Sequence, residues 1–181
     1  MFRIRSLNNA IFSRVTDAKA AWIIPTLARF TFAASLLWFF WYSALTKIGE
    51  GPFGFLNPTA GAFAGILPWR AAAVGYDPSQ YNLLDTVIVL LGMWAEFALP
   101  LLIVIGLFTR AASIAMIGFV AVLSLVDVYG HKVEPATIGK WFDGGAGSVI
   151  LDQRLFWLLL LVTLILKGAG PISLDRLFKI T

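Results

Sequence analysis

The sequence contains no cysteine, and it has only one histidine and three methionines among its 181 residues. Without thiols, the chain cannot form disulfides, thiolate zinc sites or iron–sulfur clusters. So few histidine and methionine side chains also argue against a copper or haem site built by this chain alone. Any redox chemistry is therefore expected to depend on a partner or on a diffusible molecule.

Charge is scarce as well. Charged residues make up 13% of the chain, hydrophobic residues make up 59%, and the mean hydropathy is +0.83. Soluble domains carry about 25% charged residues, so this composition predicts an integral membrane protein. No dinucleotide fingerprint, phosphate-binding loop, Ser-His-Asp order or zinc-ligand spacing is present, and no nucleic-acid partner is expected.

Four segments are long and apolar enough to cross a bilayer, which takes about 20 residues each. They cover residues 22–46, 83–107, 111–129 and 155–166. The fourth segment is short, so it is expected either to extend back over Ile150 and Leu151 or to thin the membrane locally. Only the sequence GLFTR separates the second segment from the third, which predicts a tight hairpin. We therefore expect one all-α integral membrane domain over residues 1–181, folded as an antiparallel bundle of four transmembrane helices.

Two long loops and a short tail complete this prediction. The loops, residues 47–82 and 130–154, are rich in glycine, proline and aromatic residues, which suit either the lipid headgroup region or a docked partner protein. After the fourth segment, Gly168, Gly170 and Pro171 end the helix. Ser173 is then placed to cap a new helix, so residues 168–181 are predicted to form an interfacial tail.

The basic residues are distributed unequally between the two ends of the predicted bundle. The end with both termini and the hairpin carries eight of them and the end with the long loops five. The positive-inside rule then places both termini, with residues 1–21 as an N-terminal segment, in the cytoplasm. The two groups are Arg3, Arg5, Arg14, Lys19, Arg110, Lys167, Arg176 and Lys179 against Lys47, Arg70, Lys132, Lys140 and Arg154.

Glu96 lies near the middle of the second segment, where an ionised carboxylate costs at least about 2.5 kcal/mol unless it has a partner. Arg29 lies at a comparable depth in the first segment, counted at about 1.5 Å per residue. These positions predict an Arg29–Glu96 ion pair inside the bundle. Charges within a membrane more often mark a functional site, but such a pair could also serve only to fix helix packing.

A second polar group is expected at the loop-bearing ends of the helices, formed by Lys47, Asp85, Asp127 and His131. His131 is the natural candidate for proton transfer, because imidazole titrates near neutral pH. Asp127 precedes it by one helical turn, so the two side chains could pair. The alternative is that all four simply extend to the interface, as charged residues at helix ends commonly do.

Residues 38–42, in the outer half of the first segment, are five consecutive aromatic residues. An aromatic belt at the membrane surface is the ordinary interpretation. Trp38 and Trp41 would also suit the lining of a quinone site, with Lys47 or His131 donating a hydrogen bond to a quinone carbonyl oxygen.

Several of these elements together resemble the DoxX-like family. They are an arginine early in the first segment (Arg29), a K-x-G after it (47–49), E-x-x-x-P-L-L-x-x-x-G-L-F-T-R over 96–110 and G-A-G-P-I-S-L-D over 168–175. The resemblance implies a four-helix protein of the bacterial inner membrane. It also implies that Arg29, Glu96, Arg110 and Lys47 are the family's polar positions. Relatives include the DoxD subunit of thiosulfate:quinone oxidoreductase, which passes electrons from a sulfur compound to quinone.

The resemblance suggests a membrane subunit of a quinone-linked redox complex, with a protein partner in the membrane or periplasm. On this hypothesis Glu96, Arg29 and His131 are catalytic, whereas Lys47, Trp38, Trp41 and Asp127 bind quinone. One alternative is a non-catalytic accessory or assembly subunit that docks a larger membrane complex. Another is a small transporter that works as an oligomer.

Overall fold

Four long helices, each apolar enough to cross a membrane, dominate the computed structural model, which describes residues 20–180. Spans one to four are Trp22–Leu45, Leu83–Ile105, Thr109–Gly130 and Val149–Lys167. Among the described residues there is no strand, only an isolated bridge between Ile48 and Pro58. The predicted all-α four-helix membrane bundle is thus confirmed. Residues 1–19 of the expected N-terminal segment lie outside the described part of the chain.

Three of the spans contain a wider π-helical turn, and the helices of the loops and the tail are short. The π turns are Ala33–Leu37 in span one, Val126–Gly130 ending span three and Val149–Gln153 opening span four. This last turn brings span four to 19 residues, so the expected extension over Ile150 and Leu151 is confirmed. The long loops and the tail contain Gly54–Leu56, Ala60–Ile66, Pro68–Ala73, Pro78–Gln80, Pro135–Ile138 and Leu174–Leu177.

Each span packs one face against its neighbours and turns the other outward. The packed faces form a core in which aromatic rings meet edge to face, as Phe40 does with Trp157 at 5.9 Å between ring centroids. Large apolar side chains such as Phe30, Leu125 and Leu166 remain exposed on the outer faces, where they contact lipid. The buried core includes Phe32, Phe40, Ile103, Met116, Leu161 and Leu164.

The turn between spans two and three is fastened by the C-terminal tail. Gly106 ends span two in a left-handed conformation, with φ at 71°, and its carbonyl accepts a hydrogen bond from the Asp175 N–H at 2.7 Å. The Asp175 carboxylate in turn accepts hydrogen bonds from the N–H groups of Phe108 and Thr109, at 2.6 and 2.9 Å. Ser173 caps the tail helix, as predicted. We call this end of the bundle the tail end, and the opposite one the loop end.

The first long loop begins with a close backbone crossing that requires two glycines. A Cβ atom added to Gly49 would lie 2.0 Å from the carbonyl oxygen of Asn57, and one added to Gly54 would lie 1.9 Å from that of Gly49. The Thr59 N–H also donates to the Lys47 carbonyl at 3.0 Å. The loop therefore folds back immediately after span one and fixes the backbone around Lys47.

This crossing predicts that Gly49→Ala destabilises the protein by about 1–3 kcal/mol, because backbone must move to admit the methyl group. Thermal unfolding in detergent, followed by far-UV circular dichroism, measures the effect. Gly61→Ala is the matched control, since its Cβ would make only an ordinary contact with Thr59 at 3.7 Å. Equal stability of the two variants would contradict the crossing.

Candidate functional site

Glu96 of span two forms an ion pair with Lys47, which lies two residues beyond the end of span one. Lys47 Nζ lies 3.1 Å from Oε1 and 2.8 Å from Oε2, and the two side chains are 12% and 5% exposed. Nζ also donates to the carbonyl and hydroxyl oxygens of Ser43, at 3.1 and 2.7 Å. The carboxylate therefore has a cationic partner inside the bundle, which offsets the free energy of burying it.

The predicted Arg29–Glu96 pair is wrong, because Arg29 binds backbone carbonyls at the tail end instead. The last carbonyls of a helix lack N–H partners, and a guanidinium has five donors with which to satisfy them. Ile103 lies seven residues beyond Glu96, about 10 Å further along the helix toward the tail end. Arg29 therefore binds the carbonyls at the end of span two and not the Glu96 carboxylate. Its four acceptors are the carbonyls of Ile103 and Ala169, each at 3.0 Å, and those of Val104 and Ile172.

A cavity of about 500 Å³ lies between spans two and three, with Lys47 and Glu96 in its lining. Small residues leave this space open, since Gly92 and Ala95 of span two and Ala115 and Gly118 of span three line it. A Cβ atom added to Gly118 would meet nothing within 4 Å. We call this space the groove.

The groove opens sideways, toward lipid. Leu91 and Val122, which line it on opposite spans, are 60% and 59% exposed, and they lie on the outer surface of the bundle. The loop residues Gly65 and Ile66 also line the groove. An apolar molecule with one polar group could thus enter from the bilayer and bring that group to the Lys47–Glu96 pair.

The pair can both donate a hydrogen bond and carry a proton. Lys47 Nζ has three hydrogens but four acceptor oxygens within 3.1 Å, so at least one hydrogen is shared. Protonation of one Glu96 oxygen would turn that atom into a donor and leave three acceptors for the three hydrogens of Nζ, and it would remove the negative charge that holds them. Donation by Lys47 and protonation of Glu96 are therefore coupled by geometry.

The predicted polar group at the loop end is divided among separate partners. Asp127 pairs with Arg154 of span four at 2.5 Å rather than with His131, and Asp85 pairs with Arg70 at 2.9 Å. His131 Nε2 lies 3.0 Å from the carbonyl oxygen of Gly65, a residue of the groove lining. Each carboxylate has thus met an arginine brought in by another span or loop, and linear proximity did not indicate either partner.

Trp38 and Trp41, the predicted aromatic lining, do not border the groove. Trp38 is 64% exposed on the outer surface of span one. Trp41 Nε1 donates to the Phe97 carbonyl at 3.1 Å, joining span one to span two. Their positions fit an aromatic belt and a helix–helix contact.

The sequence prediction included Lys47 and Glu96, but it did not assign the small residues of the groove to a site. Gly92 with Ala95, and Ala115 with Gly118, are pairs of small residues three apart, a spacing that places both members on one helix face. Such pairs usually bring two helices into close contact, but at this position they leave a space instead. These facing pairs were the sequence feature from which the groove could have been predicted.

Comparison of the chain with protein-family models, curated proteins and solved structures gives no match.

Proposed function

We propose that this chain is the membrane subunit of a quinone-linked redox complex and that it binds the quinone headgroup in the groove. One observation carries the proposal, namely an apolar groove that opens to lipid and has a buried ammonium–carboxylate pair in its lining. The DoxX-like resemblance supports the same function and a place in the bacterial inner membrane. The excess of basic residues that the sequence predicts on the side of both termini supports a cytoplasmic position for that side.

The groove fits the chemistry of a quinone. Ligand sites are mostly apolar spaces of about 300–1,000 Å³ with few polar groups, and the groove is of that kind. Gly118 would border a flat ring, while Leu91 and Val122 would border its hydrocarbon tail. A bound quinone supplies two-electron, two-proton chemistry. Because the chain has no cysteine, we assign the electron supply to a partner subunit.

The side chains around the groove take distinct roles. Lys47 donates an N–H to the ligand oxygen, and Glu96 holds or releases a proton at a carboxylate oxygen beside it. His131, bonded to the groove residue Gly65, is placed to exchange protons with water at the loop end. Arg29 and Asp127 stabilise the bundle and do not contact the ligand. Arg29 binds backbone carbonyls, and Asp127 pairs with Arg154 of span four.

We expect Gly118→Leu to fill the groove and weaken quinone binding at least about tenfold, equivalent to ~1.4 kcal/mol. The measurement is titration of the purified protein with a short-chain quinone, together with extraction of quinone retained from mild detergent. Ala121→Leu is the matched control, because Ala121 is exposed on span three and does not line the groove. Equal quinone affinity in the two variants would refute the site.

Exposed aromatic residues at the loop end favour a second candidate, an accessory subunit that docks a partner. Phe53 and Tyr76 in the first loop and Phe142 in the second are all strongly exposed. In this case the ion pair would serve only the fold. A Lys47→Met/Glu96→Leu double variant would then keep the activity of the assembled complex, whereas the quinone-binding function requires its loss.

A further inference from the structure

A second and larger cavity, of about 1090 Å³, lies at the tail end, between the tail and the ends of spans one, three and four. Its lining includes four basic residues, Arg110, Lys167, Arg176 and Lys179. All four are exposed to the surroundings. Cations from the start of span three, the end of span four and the tail therefore meet around one space.

The positive charge of this cavity is not balanced by the protein within residues 20–180. Among the described residues of the lining Asp175 is the single carboxylate, so four cations and one anion leave three net positive charges. The oxygens of Asp175 already accept the N–H groups of Phe108 and Thr109. None of the four cations forms an ion pair in the described part of the chain. Such a concentration of one sign attracts an anion.

The residues around the cavity are of the kind found at the depth of lipid headgroups. Trp22, at the start of span one, lines it, and tryptophan is enriched at the membrane–water boundary. The tail beside it leaves Ile172 and Leu177 each 70% exposed, as expected for a segment resting on the apolar edge of the bilayer. Thr109, whose buried hydroxyl has no partner among the described residues, also lines the cavity.

We propose that this basic cavity binds a phosphate-bearing anion at the membrane surface. Arginine presents a fork of N–H donors that suits phosphate oxygens, and lysine adds compact positive charge. Basic pockets at the ends of transmembrane helices are a recurrent site for anionic lipid headgroups. Two sources share this chemistry, an anionic phospholipid and free inorganic phosphate, and they are separated by experiment.

The test uses the full chain in detergent and measures retained lipid by native mass spectrometry. The probes are phosphatidylglycerol, phosphatidylcholine and, in a separate titration, inorganic phosphate. We expect phosphatidylglycerol to bind more tightly than phosphatidylcholine. Arg110→Gln/Arg176→Gln should weaken that binding about thirtyfold, at roughly fivefold per basic residue.

Two control variants make the outcome specific. Lys132→Gln/Lys140→Gln removes the same charge from the loop end and should leave lipid binding unchanged, whereas Arg110→Lys/Arg176→Lys should retain most of it. If inorganic phosphate binds and responds to the Gln variants while the lipids do not, the site holds and its anion is soluble. The proposal is overturned if all three probes bind equally weakly. It is also overturned if the loop-end control weakens binding as much as the Arg110→Gln/Arg176→Gln variant does.

Discussion

Lys47→Met is expected to lower the free energy of unfolding by about 3–5 kcal/mol, because it leaves Glu96 buried without a cation. The carboxylate would also lose the two hydrogen bonds from Nζ, which are the ones that neutralise it. Chemical unfolding in mixed micelles, monitored by tryptophan fluorescence, measures the loss. Lys132→Met, at an exposed loop position, is the control and should change stability by no more than about 0.5 kcal/mol.

The Lys47→Met/Glu96→Leu double variant tests whether the loss of stability comes from the unpaired charge. Removing both charges is expected to restore stability to the original value or above it, since a buried pair replaced by apolar groups is often neutral or stabilising by about 1–4 kcal/mol. A double variant as unstable as Lys47→Met would show that the loss comes from packing of the lysine stem. The ion pair would then have no part in it.

Arg29→Met is expected to destabilise the protein by about 3–5 kcal/mol and to release the tail from the bundle. Hydrogen bonds from a charged donor contribute about 1.5–3 kcal/mol each, although the four bonds of one guanidinium do not add independently. Two acceptors belong to the end of span two and two to residues 169–172, so one side chain joins both segments. Unfolding measures the first effect, and hydrogen exchange at the Asp175 N–H measures the second.

Arg29→Lys separates charge from geometry. An ammonium has three donors and lacks the planar fork, so we expect it to recover less than half of the lost stability. Arg110→Gln removes an exposed cation at the same end, and it should stay within about 0.5 kcal/mol of the original protein in detergent. A lysine variant as stable as the original, with its tail amide fully protected, would contradict the four-carbonyl role.

The spans, the hairpin and the tail helix could be predicted because each depends on local sequence. Four apolar runs of sufficient length define the spans. The short GLFTR connection, with Gly106 free to adopt positive φ, defines the hairpin. Ser173 supplies an N-cap that is equally local. None of these features depends on which helices become neighbours.

The partners of the charged residues could not be predicted in the same way. Depth along the helices placed Arg29 near Glu96, but it did not account for unsatisfied carbonyls at a helix end, which compete for the same guanidinium. Lys47 reaches Glu96 because the loop doubles back at Gly49, and that crossing is visible only in three dimensions. Arg154 of span four likewise reaches Asp127 of span three. Long charged side chains choose among several acceptors, so spacing alone does not identify the partner.

The four hydrogen bonds of Arg29 join segments that are synthesised at different times. The ribosome delivers Ile103 and Val104 early, but Ala169 and Ile172 come more than sixty residues later. Until then the guanidinium of the first membrane helix has only half of its final acceptors. We therefore expect the four contacts of Arg29 to be complete only after residues 169–172 have been synthesised.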